Sequence, residues 1–127
     1  MTQKLTVEQI HKLVFSNFTY KTDKRQYKKL EYWVQPDSSY DGTQKIIGDC
    51  EDFALACRKL CDDHGYMTRL VFCNTELGEG HLVLECHGYI LDNRMKKVVP
   101  KSYLDRIGYT FISISGYEPG EPWLEIV

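Results

Sequence analysis

An α+β fold is predicted by changes of hydrophobic period along the chain. Residues 50–64 carry apolar side chains at helical spacing, whereas residues 68–73 alternate and are rich in β-branched residues, and residues 81–86 are predicted as a second strand. A third extended segment, 89–92, follows the second closely enough to form a hairpin with it. Helices followed by strands with short connections indicate helices packed on an antiparallel sheet.

The size and charge of the chain indicate one ordinary globular domain, residues 1–127. Of its 127 residues 43% are apolar and the net charge is −2, so we expect no general attraction to nucleic acid or anionic membranes. The first residues contain no apolar signal core, and no apolar run is long enough to span a bilayer. Five cysteines without a secretion signal favour reduced thiols and a cytoplasmic location. These features predict no particular oligomeric state.

Before the central helix the sequence predicts a helix, a short extended piece and loops. Thr6 can cap a helix with an apolar stripe over 7–15, and residues 17–20 are extended. Residues 21–29 carry five basic side chains against one acid, which fits either a solvated surface or a basic lip that attracts an acidic partner. Residues 37–42 have the composition of a loop.

Beyond residue 92 the signals are shorter. Residues 97–99 and 110–114 are predicted as strands, with a short helical turn at 102–104 between them. Prolines in the last ten residues predict an irregular tail pinned by Trp123.

The central helix begins with a cysteine. Asp49 is a good N-cap, Cys50 falls in the first turn, and Gly65 supplies the stop after residue 64. The positive end of the helix dipole favours the thiolate, the form that attacks carbonyl carbon. The alternative interpretation is that Cys50 is a small core residue, because free cysteines are often buried.

A histidine and an aspartate are predicted to share one face of the hairpin. If the two turn residues are His87-Gly88, Cys86 lies opposite Tyr89, and His81 and Asp92 become diagonal neighbours on one face. A register slip of one residue would separate them. Together with Cys50 they are the parts of a triad in which cysteine attacks, histidine transfers the proton and aspartate orients the imidazole.

Five segments carry a resemblance to a known family. Gly-Asp-Cys-Glu-Asp-Phe-Ala at 48–54, Gly-His-Leu-Val-Leu at 80–84 and Ile-Leu-Asp-Asn at 90–93 resemble the bacterial transglutaminase-like cysteine proteinases. Residues 14–20 and 32–36 are similar to the lead-in segments of that family. The resemblance implies a papain-like transglutaminase core whose nucleophile-bearing helix packs on the antiparallel sheet.

The same resemblance implies the triad Cys50, His81 and Asp92, and calcium in exported relatives with the acids beside the cysteine, here Asp49 and Glu51. Some members are calcium-dependent periplasmic proteases that cut surface adhesins. This chain is shorter than those members and lacks their export signal.

The acids beside Cys50 have two interpretations. Negative charge raises the pKa of a thiol and so opposes the helix dipole. Asp49, Glu51 and Asp52 can simply cap the helix and favour its dipole. Alternatively, Asp49 and Glu51 hold calcium, which would relieve the repulsion on the thiolate.

A structural zinc site is a rival hypothesis from another class. Cys57, Cys61 and His64 share one side of the helix, and Cys73 and Cys86 could join them in a binding module. Core packing explains the two helix cysteines without a metal, and His64 then complements the helix dipole. The two remaining histidines, His11 and His87, are interpreted as surface or turn residues.

The function predicted from these residues is a cysteine peptidase or amidohydrolase that forms a thioester on Cys50 and acts on a protein or peptide. Transglutaminase or deamidase action on glutamine uses the same acyl-enzyme, and a non-catalytic binding module is the non-enzyme alternative. No cofactor is required for the chemistry. The Cys50 backbone N–H would hold the oxyanion, with a second donor among Gln35, Trp33 and Asn17.

Overall fold

A computed structural model describes residues 4–21, 39–117 and 120–126 of the chain. The basic run from residue 22 onward and the aromatic segment at 32–36 lie outside these residues. In the described ranges no helix has the length and apolar character needed to cross a membrane. The cytoplasmic location stays a prediction.

The first helix is followed by a short strand that pairs with a second short strand. Helix α1, Val7–Ser16, begins at Thr6 with a reciprocal capping box that includes Gln9, as its sequence predicts. Strand β1, Phe18–Tyr20, pairs in parallel with β2, Ile46–Gly48. This pairing places the segment before the central helix beside the end of α1.

The central helix α2, Cys50–Asp63, forms where the sequence predicts it. Asp49 is the N-cap, and a reciprocal capping box links it to Asp52. At the other end Gly65 adopts a φ of 82°, which glycine reaches without the strain a side chain would add. The stripe Phe53, Ala54, Leu55, Ala56, Cys57, Leu60 and Cys61 is buried.

The remaining strands form an antiparallel sheet in the order β6-β5-β4-β3-β7-β8. Their bounds are β3 Arg69–Asn74, β4 Gly80–Cys86, β5 Tyr89–Leu91, β6 Val99–Pro100, β7 Thr110–Ile114 and β8 Leu124–Glu125. Neighbouring strands pair antiparallel throughout. The α+β architecture predicted from the sequence is therefore confirmed.

Successive side chains of β4 point to opposite faces of the sheet and so contribute to two hydrophobic clusters. Leu82 and Leu84 pack in a cluster with the buried side of α2. Val83 belongs to the second cluster, which also contains Leu104 and Phe111. Both sides of this strand are covered, which explains its nearly continuous apolar sequence.

Three details beyond residue 92 differ from the sequence prediction. Helix α3, Lys101–Ile107, is longer than the expected turn at 102–104, because Leu104 anchors it in the second cluster. Of the strand expected at 97–99, only Val99 lies in a strand, β6, which continues to Pro100. The tail is less irregular than predicted, since β8 pairs with β7, although Trp123 does pack against the first cluster as expected.

Candidate active site

Cys50 is the first residue of α2 and is half-buried. The capping box at Asp49 and Asp52 fixes where the helix starts, and so fixes the position of the sulfur. The N–H groups in a first helical turn have no intrahelical acceptor, so the Cys50 N–H belongs to the set that can bind an anion. The start of α2 can therefore present both a nucleophile and an oxyanion donor.

The β4–β5 hairpin has the predicted register. His87 and Gly88 have φ values of 52° and 87°, the positive values that a type I′ turn requires. Cys86 lies opposite Tyr89, as expected. His81 and Asp92 consequently meet, with Nε2 of the histidine 2.7 Å from Oδ1 of the aspartate.

His81 connects the hairpin to Cys50. Burial lowers the pKa of His81, but the hydrogen bonds and charges of Asp92 and Cys50 outweigh burial and raise the pKa to about 9. Because Nε2 donates to Asp92, Nδ1 is the ring nitrogen left to interact with the Cys50 sulfur. A cysteine, a histidine and an aspartate in this order are the groups that nucleophilic cysteine chemistry needs.

Asp92 is fully buried but has several hydrogen-bond donors. Besides His81, the backbone N–H of Arg94 donates to Oδ1 at 2.9 Å, and the hydroxyl of Tyr109 donates to Oδ2 at 2.8 Å. Burial alone would raise the pKa of Asp92, but these donors and the charge of His81 lower it overall. The aspartate therefore remains an anion inside the protein.

Tyr109 is itself held by an ion pair. The Arg94 Nη1 donates to the Tyr109 hydroxyl oxygen at 2.9 Å and to Glu76 Oε2 at 3.0 Å. Arg94 Nη2 also contacts the other oxygen of Glu76. Hydrogen bonds from Arg94 lower the pKa of Glu76 to about 2, so this pair stays charged.

His11 lies in the interior, so its interpretation as a surface residue is wrong. Its side chain is fully buried between Phe15 and Phe53, and Nε2 donates to the backbone carbonyl of Asp92 at 3.1 Å. Burial lowers its pKa despite the neighbouring Asp92, so the ring is neutral at pH 7. The stripe of α1 thus buries an imidazole that contacts the segment after β5.

The other four cysteines are buried and distributed through the core: Cys57, Cys61, Cys73 and Cys86. Burial raises the pKa of each of them. His64 accepts a hydrogen bond from the backbone N–H of Leu5 through Nδ1. In the described ranges, no group of three or more His, Cys, Asp or Glu side chains could hold a metal ion, so the zinc hypothesis gains no support.

Two of the acids beside Cys50, Asp49 and Asp52, cap the helix in this structure. Asp49 accepts from the Glu51 backbone N–H at 3.1 Å, and Asp52 accepts from the Asp49 backbone N–H at 3.0 Å. Burial and the charge of Asp52 raise the pKa of Asp49. Two crowded carboxylates can attract a cation, although the described residues contain no group of three or more His, Cys, Asp or Glu side chains that could hold a metal ion.

Of the three side chains predicted as a second oxyanion donor, Asn17 is among the described residues. Asn17 donates its side-chain amide to the carbonyls of Leu13 and Gly42, at 3.2 and 3.0 Å. Both amide hydrogens are thereby used within the fold, which weighs against Asn17 as the donor. Trp33 and Gln35 lie outside the described residues.

Sequence reasoning missed His11, Arg94 and Tyr109. Arg94 follows Asp92 by two residues in a turn, but nothing in its spacing indicates a partner at Glu76. Tyr109 is 17 residues from Asp92 and stands just before a strand, where an aromatic residue is unremarkable. Contacts of this kind depend on how the strands and loops are packed.

Comparison with solved structures supports the fold. LapG from Legionella pneumophila (EGTA-treated) is similar with a TM-score of 0.70 and 22% identity, over 95% of this chain and 66% of that chain. Calcium-bound LapG gives a TM-score of 0.65 and 24% identity, over 91% and 66%. This chain thus spans just under two thirds of the LapG chains. None of the curated proteins compared with it matches.

The sequence profile of one family covers nearly the whole chain. That family is described as bacterial transglutaminase-like cysteine proteinase, and it matches residues 2–127. The match includes the central helix, the hairpin and every side chain of the site described above. The protein therefore belongs to the bacterial transglutaminase-like cysteine proteinases.

Proposed function

We propose that the protein is a cysteine peptidase that cleaves a peptide bond through a thioester on Cys50. The observation that carries the proposal is the buried hydrogen bond between His81 and Asp92, with the same imidazole coupled to Cys50. A charged, fully buried aspartate on the far side of a histidine fixes the tautomer and orientation of the ring. Membership of a cysteine proteinase family supports the same chemistry.

In the proposed reaction the Cys50 thiolate attacks the scissile carbonyl carbon, forming a tetrahedral oxyanion. The Cys50 backbone N–H stabilises that oxyanion, with a second donor from the segment before α2. His81 gives its proton to the leaving amine as the carbon–nitrogen bond breaks and the thioester forms. Water then attacks the thioester while His81 takes its proton, releasing the acid and restoring the pair. Asp92 stays ionised throughout.

We also propose that calcium binds near the start of α2, at Asp49 and Glu51. The support is the crowding of carboxylates there and the calcium-bound form of LapG, a similar fold. Calcium would neutralise these acids and so favour the thiolate. Calcium takes six to eight oxygen ligands, so these two carboxylates would form only part of its shell. No step of the proposed chemistry passes through the ion.

The proposal is tested by incubating the protein with a broad mixture of natural peptides and sequencing the products by mass spectrometry. We expect new peptide termini with the wild type and none with Cys50→Ala. Cys57→Ala is the matched control, since it removes a thiol two turns along the same helix and should retain activity. Conversion of glutamine to glutamate without chain cleavage would instead identify a deamidase. No turnover of any peptide would contradict the proposal.

A further inference from the structure

The side chain of Tyr109 completes the hydrogen bonding of the buried aspartate. Its hydroxyl lies 2.8 Å from Asp92 Oδ2, while His81 occupies Oδ1 at 2.7 Å. Tyr109 is only 4% exposed, and its ring meets the His81 ring edge to face with centroids 6.0 Å apart. The tyrosine therefore contacts two of the three proposed catalytic residues.

The direction of this hydrogen bond is fixed by Arg94. A guanidinium has donors and no acceptor, so Arg94 Nη1 must donate to the Tyr109 oxygen, at 2.9 Å. The single hydroxyl proton of Tyr109 is then left to point at Asp92. Glu76 holds the guanidinium in place through both of its carboxylate oxygens. The result is a one-way chain of donors from Arg94 through Tyr109 to Asp92.

We infer that Tyr109, oriented by the Arg94–Glu76 pair, is a positioning residue that keeps Asp92 ionised and holds its Oδ1 toward His81. This inference rests on the proposed function of Cys50, His81 and Asp92. A carboxylate that lost its Oδ2 donor could rotate away from the imidazole. It would also take up a proton more readily, because one fewer hydrogen bond would stabilise its charge.

Charged and titratable groups from several elements face Asp92. Cys73 of β3 and His81 of β4 lie on the strand side, and the Asp92 backbone receives a hydrogen bond from His11 of α1. The side chains of His81 and Tyr109, which belong to other elements, donate hydrogen bonds to the Asp92 carboxylate. Of these two donors, Tyr109 lies outside the proposed triad. Removing its hydroxyl therefore takes away a hydrogen bond to Asp92 without changing a triad residue.

The test is the pH dependence of Cys50 alkylation by iodoacetamide, which needs no peptide substrate. In the wild type we expect labelling to slow in acid, as Asp92 takes up a proton and no longer stabilises the charged imidazole that interacts with the sulfur. Tyr109→Phe should move the acid limb of the profile upward by about one pH unit, the effect of losing a hydrogen bond to a charged group. Tyr103→Phe, at an exposed site on α3, is the matched control and should leave the profile unchanged.

Arg94→Gln provides the second variant. It should shift the acid limb in the same direction by less, and it should add little in a Tyr109→Phe background, because both changes act on one chain of donors. A melting curve for each variant separates positioning from unfolding. A Tyr109→Phe profile that overlays the wild type would overturn this inference alone. A wild-type Cys50 that is no more reactive than the buried cysteines would overturn the proposed function together with it.

Discussion

His81 Nε2 lies 2.7 Å from Asp92 Oδ1, and this contact joins two residues 11 apart across a tight hairpin. The hairpin register fixes the pair before any long-range packing is considered, since a shift of one residue would place the two side chains on opposite faces. The contact is also fully enclosed, because Asp92 is 0% and His81 6% exposed. The contribution of this hydrogen bond and the charge of its two partners can be tested by mutation and by changing the pH.

Asp92→Asn should lower peptide turnover by about a thousandfold or more, while the protein remains folded. The amide cannot accept from His81 in the same way, so the imidazole loses its orientation and its stabilised charged form, although the nucleophile remains. Turnover of a peptide identified in the mixture experiment is the measurement. Asp105→Asn, an exposed change on α3, is the control and should be neutral. Equal activity of the two variants would contradict the role of Asp92.

The stability of the protein should fall as pH rises from about 6.5 to 9. The folded pKa of His81, about 9, lies above its unfolded value near 6.5, so its stabilising charge is fully present below 6.5 and is lost by about pH 9. The linkage is on the order of 3 kcal/mol for a shift of this size. The pKa of Asp92 is lowered, so its own contribution is lost only in acid.

Urea unfolding of the wild type and His81→Gln, at pH values from 6 to 9.5, measures this dependence. The difference between the two free energies of unfolding should shrink toward the alkaline end, since only the wild type carries the raised histidine pKa. Curves that run parallel over the whole range would show that His81 is not charged in the folded protein.

Cys50 should react with iodoacetamide faster than the other four cysteines at neutral pH. It is half-buried at a helix start and interacts with His81, whereas Cys57, Cys61, Cys73 and Cys86 are buried with raised pKa values. Peptide mapping after brief labelling is the measurement. In His81→Ala the labelling rate of Cys50 relative to the other four cysteines should drop sharply. Equal labelling of Cys50 and a second cysteine would mean that it is not specially activated.

If calcium binds at the start of α2, added calcium should raise the melting temperature by mass action, and a chelator should reverse the effect. Asp49→Asn combined with Glu51→Gln should abolish the response, because both proposed carboxylate ligands are lost. Glu8→Gln, a first-turn acid of α1, is the control and should leave the response intact. An unchanged melting temperature in the wild type would leave Asp49 and Glu51 as helix caps alone.

Local features of the site could be predicted from the sequence because neighbouring residues create them. Asp49, followed by Cys50 and a helical stripe, specifies a capped helix with the thiol in its first turn. His87-Gly88 specifies a two-residue turn, and the alternation of strands then brings His81 and Asp92 to one face. Three of the five segments that resemble the family contain Asp49, Cys50, His81 and Asp92. Each feature is decided within about a dozen residues.

The long-range contacts around Asp92 were decided by tertiary structure. His11 and Tyr109 reach it from a helix and a loop that are far from it in sequence, and Glu76, from a distant turn, acts through the neighbouring Arg94. The hydrophobic periodicity of the sequence does not reveal these contacts, because it reports how each helix or strand packs and not which distant residue a side chain meets. His11 fits the buried stripe of α1 in this way, and only the packing of α1 near the hairpin made it a partner of Asp92. The sequence by itself determined the central helix with Cys50 in its first turn and the histidine–aspartate register, and packing decided which distant side chains hold the aspartate charged inside the core.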